Sequence, residues 1–187
     1  MTNAILTRET AFKIRSTWVA MHNRCSSSSV PGKKNSYEGC SVHRDWINLP
    51  NFQAWMLEQD FQEKCLDKDI LVFDNKVYSE ETCIFVTPAL NVQLRAYPNK
   101  SLPLGVRESS QGYYSLISAQ GEKVLLGYYD TPYKAHRMWQ VVKSEYLADY
   151  PLDNESPSLR PRLRIALDYR AQRIRDDLKN RRFTIRP

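Results

Sequence analysis

Two carboxylates bracket a lysine at Leu66-Asp67-Lys68-Asp69-Ile70. A turn at Asp74-Asn75, the polar stretch Tyr78-Ser79-Glu80-Glu81-Thr82-Cys83 and then Asn91 follow closely. Carboxylate and amide oxygens are ligands that a hard divalent cation takes, and a cation so held acidifies water and clamps a phosphoryl oxygen. Paired acids on a short strand, a turn and a later amide therefore suit a compact metal-dependent phosphodiesterase.

His22-x-x-Cys25 and Cys40-x-x-His43 form a second pattern. On a helix, positions i and i+3 share a face, which is the spacing a zinc half-site requires. Two readings stand side by side. One is a structural Zn²⁺ held by His22, Cys25, Cys40 and His43; the other is a core histidine among free thiols. Cys83 is a further candidate for such a site, and Cys65 has no evident partner. Glycine-rich phosphate loops and the GxSxG elbow are absent from the sequence, which removes the commonest nucleotide-binding and serine-hydrolase signatures.

Charge is concentrated at one end. The net charge is +6, yet residues 160–187 hold ten basic residues against three acidic ones, leaving the remainder close to neutral. Such a cluster favours a polyanionic partner through counterion release; the plain alternative is a solvated helix face. Hydrophobic residues make up 42% of the chain, as in globular proteins, and no apolar run approaches the roughly 20 residues of a membrane span. The first residues lack the character of a secretory signal. A reducing cytoplasm is the expected compartment, with no membrane partner.

These groups must be positioned by short elements. Residues 10–25 read as a helix with Phe12, Ile14, Trp18, Val19 and Met21 on a broad apolar face. A Ser/Gly/Lys-rich loop covers 26–35, and a second helix runs near 51–61 with Asn51 as its cap. Leu66–Phe73 and Cys83–Val86 read as strands feeding a helix around Pro88–Leu94. After a linker at 98–103 come three strands, near 105–108, 113–117 and 123–128, with turns at Ser109–Gly112 and Gln120-Gly121. Thr131-Pro132 opens a helix whose apolar face is Ala135, Met138, Trp139, Val142 and Tyr146, with His136 on its surface. A proline-rich linker, 151–161, precedes a last helix, 162–182. Its stripe of Leu163, Leu167, Ala171, Ile174 and Leu178 needs a packing partner, in its own chain or another.

Two resemblances join these observations. Trp18, Met21, Arg24-Cys25, Tyr37-x-Gly39, Val42, Trp46, Phe52 and Trp55, then Leu66-Asp67-Lys68-Asp69, Asn75, Tyr78-Ser79-x-x-Thr82-Cys83 and Asn91, resemble phage-encoded HNH endonuclease-like proteins over about half the chain. That resemblance implies Asp67 and Asn91 as ligands of Mg²⁺ or Mn²⁺. It puts Lys68 where the family has its general-base histidine. An unperturbed lysine is protonated at neutral pH, and flanking carboxylates favour its charged form. Lys68 then suits phosphate stabilisation, leaving Asp69 to orient water. The second resemblance spans about 104–146. Gly105-Val106-Arg107, Gly112-Tyr113-Tyr114, Gly121-x-Lys123 and Leu126-Gly127-Tyr128-Tyr129-Asp130-Thr131-Pro132 are similar to the APETALA-two type DNA-binding domain. It implies a three-stranded sheet laid in the major groove.

The expectation is an α+β chain: an HNH-like ββα module (1–97), an APETALA-two-like module of three-stranded antiparallel sheet plus helix (98–150), and a linker with a basic C-terminal helix (151–187). Strand alternation turns Tyr113, Ile117, Val124 and Leu126 toward the helix, and Arg107, Tyr114, Leu116, Lys123 and Leu125 outward. Expected contacts to double-stranded DNA are Arg107, Tyr114, Lys123, Arg160, Arg162, Arg164, Arg170 and Arg173. The expected activity is DNA binding, with Asp67, Lys68 and Asp69 as candidate catalytic residues for phosphodiester hydrolysis, inside a bacterial host. The alternative is an inactive nuclease-like protein that regulates DNA or inhibits a host protein through the Leu116/Leu125 face.

Overall fold

The structure, a computed structural model, describes residues 6–27, 37–95 and 101–187. Most of the loop read at 26–35 and the first part of the linker read at 98–103 lie outside these. Mixed α+β architecture is evident, and the chain divides into two compact units, 1–86 and 87–187.

The first unit opens with α1 (Arg8–Ser27), where the Thr7 hydroxyl accepts from the Thr10 amide at 3.1 Å. Ile14 and Met21 are fully buried, but Phe12 is 75% exposed and Val19 also faces solvent. The apolar face is therefore narrower than the sequence suggests, a single i, i+4, i+7 stripe through Ile14, Trp18 and Met21. Trp46 ends a 3₁₀ turn (Arg44–Trp46) and packs with Phe52 and Trp55 of α2 (Leu49–Leu57). This helix begins before the expected Asn51, because Pro50 fits the first turn, where no amide proton is needed.

Two small sheets complete the unit. β1 (Ser41–Val42) pairs in parallel with β3 (Val77–Tyr78), and β2 (Cys65–Asp67) pairs antiparallel with β4 (Ile84–Val86). The strand read over Leu66–Phe73 stops at Asp67. The cause is local: Asp67 Oδ1 accepts the amides of Asp69 and Ile70, both at 2.8 Å, and turns the chain.

The second unit starts with α3 (Pro88–Gln93), capped by the Thr87 hydroxyl on the Leu90 amide. β5 (Val106–Ser109), β6 (Gly112–Ala119) and β7 (Glu122–Tyr129) form an antiparallel sheet in that order. Both residues of the β6–β7 turn, Gln120 and Gly121, have positive φ (51° and 86°), which matches the twist of a two-residue hairpin.

α4 (Pro132–Ala148) packs on the sheet, capped by Thr131 on the Lys134 amide, and α5 (Arg160–Lys179) packs on α4. Gly105 is required where β5 meets this helix. Its φ is +74°, and a Cβ there would fall 1.9 Å from Trp139 Cδ1. Leu163, Leu167, Ala171 and Ile174 of α5 are buried, so the stripe finds its partner within its own chain. Ser115 and Ile117 point inward as alternation requires, but Val124, expected inward, is 44% exposed on the edge strand β7.

Candidate functional site

The acidic motif folds into one hydrogen-bonded turn. Lys68 is only 5% exposed. Its Nζ donates to Asp69 Oδ2 at 2.9 Å and to the Asn75 carbonyl at 2.8 Å, and it lies over the Tyr78 ring. Asn75 Nδ2 donates back to the Lys68 and Val77 carbonyls, both at 2.7 Å, while its Oδ1 accepts the Val77 amide. Thr82 Oγ1 donates to Val77 O, and the Cys83 amide donates to Ser79 O at 2.9 Å. The polar residues that stand out in the sequence thus bind each other and their own backbone. Burial pushes the Cys83 thiol up to about 12, so it is no ready nucleophile.

A divalent cation would find two carboxylates here, each already engaged: Asp67 Oδ1 with two amides, Asp69 with Lys68. Asn91 is buried on α3, in the other unit. Among the described residues no three His, Cys, Asp or Glu side chains converge as ligands. The turn taken alone is therefore a closed hydrogen-bonded loop and not an assembled ligand set.

Of the zinc candidates, the Cys25 and Cys40 thiols are neighbours, and the two histidines make other contacts. His22 Nε2 sits 3.3 Å from the Trp46 carbonyl, which also accepts from Trp18 Nε1 at 2.8 Å. His43 caps the 3₁₀ turn, its Nδ1 taking the Asp45 amide. Cys40 is buried and Cys25 half-buried. Burial, then the neighbouring Cys40, hold the Cys25 thiol above its ordinary value.

In the second unit Arg107 and Lys123 are exposed on the sheet and Tyr114 is half-buried, its ring 5.9 Å from that of Tyr128. The basic helix divides. Arg160 donates to the carbonyls of Glu155 and Asp153. Arg164 donates to those of Leu147, Ala148 and Tyr150 at the end of α4. Arg170, 4% exposed, holds the Pro187 carbonyl at 2.8 Å. These three, expected on DNA, bind main-chain oxygens of their own unit. Arg162 and Arg173 remain exposed, Arg173 over the Tyr169 ring.

Sequence reasoning missed the polar side of α4. His136, expected on the surface, is 1% exposed. Its Nε2 accepts the Thr184 amide at 3.0 Å and its Nδ1 meets the Leu104 carbonyl at 2.8 Å, which together define a neutral ring protonated on Nδ1. Burial holds its pKa below the ordinary value. Lys143, 4% exposed, donates to Gln93 Oε1 at 2.9 Å, and desolvation lowers its pKa to about 7. The signal was there: Trp139, Lys143 and Leu147 are spaced i, i+4, i+8, so Lys143 had to share the buried stripe.

No protein-family model, curated protein or solved structure matches the chain. What the coordinates define is an α+β protein of two units. No described helix is long and apolar enough to cross a membrane.

Proposed function

We propose that this is a phage-type DNA-binding protein, with an HNH-like first unit and an APETALA-two-like second unit that engages the duplex. The observation that carries the reading is the placement of charge: ten basic against three acidic residues over 160–187, with Arg107 and Lys123 exposed on the sheet beside Tyr114. Arg107, Tyr114 and Lys123 would meet the duplex, and Arg162 and Arg173 would add to the attractive field. Counterion release makes such binding fall linearly in log–log terms with salt.

The test is fluorescence anisotropy with a random-sequence duplex across a salt series. Joint Arg107→Gln and Lys123→Gln substitution should weaken binding and flatten the slope by about 2, near one unit per lost phosphate contact. Salt-independent binding would overturn the reading. Point substitutions are preferable to removing residues 160–187, since α5 forms part of the core of its unit.

A second reading is hydrolysis with Mg²⁺ or Mn²⁺, for which the resemblance to HNH endonuclease-like proteins implies Asp67 and Asn91 as ligands. The bonded state of Lys68 favours binding without a Lys68 base, because a proton acceptor must reach the water it activates. Supercoiled plasmid incubated with either metal decides it: cleavage abolished by Asp67→Ala and Asn91→Ala supports hydrolysis. Exposed Leu125 and Tyr128 on the sheet favour, as the non-DNA alternative, an apolar host-protein contact.

A further inference from the structure

A cleft of about 140 Å³ opens within the second unit, between α3, the start of β5 and α4. Its lining combines four cationic side chains, Arg95, Arg107, Lys123 and Lys143, with an apolar wall that includes Leu116 and Trp139. Among the described residues no acidic side chain lines it. Pro187 borders one side, its terminal main-chain oxygen held by Arg170.

The placement of Lys143 is the unusual part. Its ammonium is buried beside one neutral acceptor, Gln93 Oε1, and the Tyr146 ring at 5.6 Å. Among the described residues no carboxylate pairs with it. A buried cation without a counter-ion costs free energy, which the group escapes either by losing its proton or by taking up an anion. Three further cationic side chains line the same cleft, so an anion seated there would meet positive charge from more than one element.

We propose that this cleft binds a phosphate-class oxyanion, with Lys143 as the inner ligand and Arg95, Arg107 and Lys123 closing over it. The volume has room for several waters or one such group. Two sources share this chemistry, a phosphodiester of a nucleic-acid backbone and the monoester of a free nucleotide. The cleft shares Arg107 and Lys123 with the proposed duplex surface but does not depend on duplex binding.

Protonation then couples to binding. With desolvation lowering the Lys143 pKa to about 7, only the protonated fraction is competent. Affinity should therefore fall about tenfold from pH 6 to pH 8. Sulfate is the right first probe, because it does not titrate in this range.

The experiment is a ¹H–¹⁵N titration of the full chain with sulfate at constant ionic strength, chloride being exchanged for it. Saturable shifts confined to the cleft, the tenfold loss by pH 8, and abolition in Lys143→Met are expected. The exposed Arg107→Gln variant should bind several-fold more weakly, and it reports even if Lys143→Met disturbs packing. Shifts linear in sulfate, or saturable binding of equal strength in both variants, would overturn the proposal. Competition by a dinucleoside phosphate supports the cleft and points to a backbone phosphate; competition only by a nucleoside monophosphate supports it and points to a free nucleotide. Duplex anisotropy on the same variants keeps the two proposals apart. Sulfate binding without duplex binding removes the DNA reading alone, and the converse removes the cleft alone.

Discussion

Lys68 and Lys143 are buried to nearly the same depth, 5% and 4% exposed, one in each unit. Their surroundings are opposite. Lys68 has a carboxylate, a carbonyl and an aromatic face, all supplied within eleven residues of chain. Lys143 has one amide oxygen brought from α3 and an aromatic ring one turn away. The first cation is part of what makes its loop fold; the second is a cost to its unit. Depth of burial alone therefore says little about function. What separates the two is whether the fold itself supplies the counter-charge.

Substitution should break the symmetry in opposite directions. Lys68→Met removes one hydrogen bond from Asp69 and one from the Asn75 carbonyl, and breaking a buried pair from one side costs about 3–5 kcal/mol. Asp69 keeps some solvent contact, its side chain 21% exposed, so a loss of about 2–4 kcal/mol is expected. Urea unfolding followed by Trp fluorescence measures it, three of the four tryptophans (Trp18, Trp46 and Trp55) lying in the first unit. A neutral outcome would show that the turn closes without its lysine and would reopen the position to chemistry.

How far this was legible in the sequence follows the same division. Local chemistry reads well: Thr131-Pro132 opens α4 with the threonine on the Lys134 amide, and Gln120-Gly121 turns β6 into β7. In those cases cause and effect lie within four residues. The end of β2 was not legible, because a run of apolar and acidic residues looks extended until Asp67 takes two amides. The flanking carboxylate of Lys68 was legible, but its second partner was not, since Asn75 contributes through its carbonyl, a group every residue has. Arg160, Arg164 and Arg170 read as a DNA surface because composition cannot distinguish an exposed guanidinium from one seated on main-chain oxygens 5 to 17 residues away. Long-range pairs such as Lys143 with Gln93 need the fold to bring them together.

The second substitution sharpens the contrast. Lys143→Met keeps the length and apolar stem while removing a charge without a counter-ion, so it should stabilise the second unit by about 1–3 kcal/mol near pH 6.5. The loss of one hydrogen bond to Gln93 offsets part of this. The gain must shrink as pH rises. The folded pKa lies near 7 and the unfolded one near 10.5, so between those values the unfolded chain binds the proton and the native one does not. Wild-type stability therefore rises with pH across the window, and the variant's advantage fades toward pH 10. Unfolding curves at pH 6.5 and 9.5 test this. An advantage that stayed constant would mean that the charge is compensated in the native state.

The smallest expected effect separates the units by sign. In the first, burial raises the Cys83 thiol to about 12 from its ordinary 9. Stability from that group is complete below pH 9 and declines above it as the unfolded chain loses its proton first, by about 1 kcal/mol at pH 9.5. In the second, His136 has a lowered pKa through burial, and its Nε2 must stay unprotonated to accept the Thr184 amide. Below about pH 6.5 the unfolded chain takes up the proton first, so stability falls toward acid, with a cost of about 1 kcal/mol per pH unit until the native ring titrates too. Amide exchange resolved by residue and corrected for intrinsic rates should show the first unit weakening from pH 7 to 9.5 and the second from pH 7 to 5.5. Cys83→Ala should flatten the first trend at a packing cost, and His136→Gln the second. If both units weakened in the same direction, the thiol and the imidazole would not control these responses, and the contrast between a locally satisfied unit and one whose buried polar groups on α4 depend on distant partners would be lost.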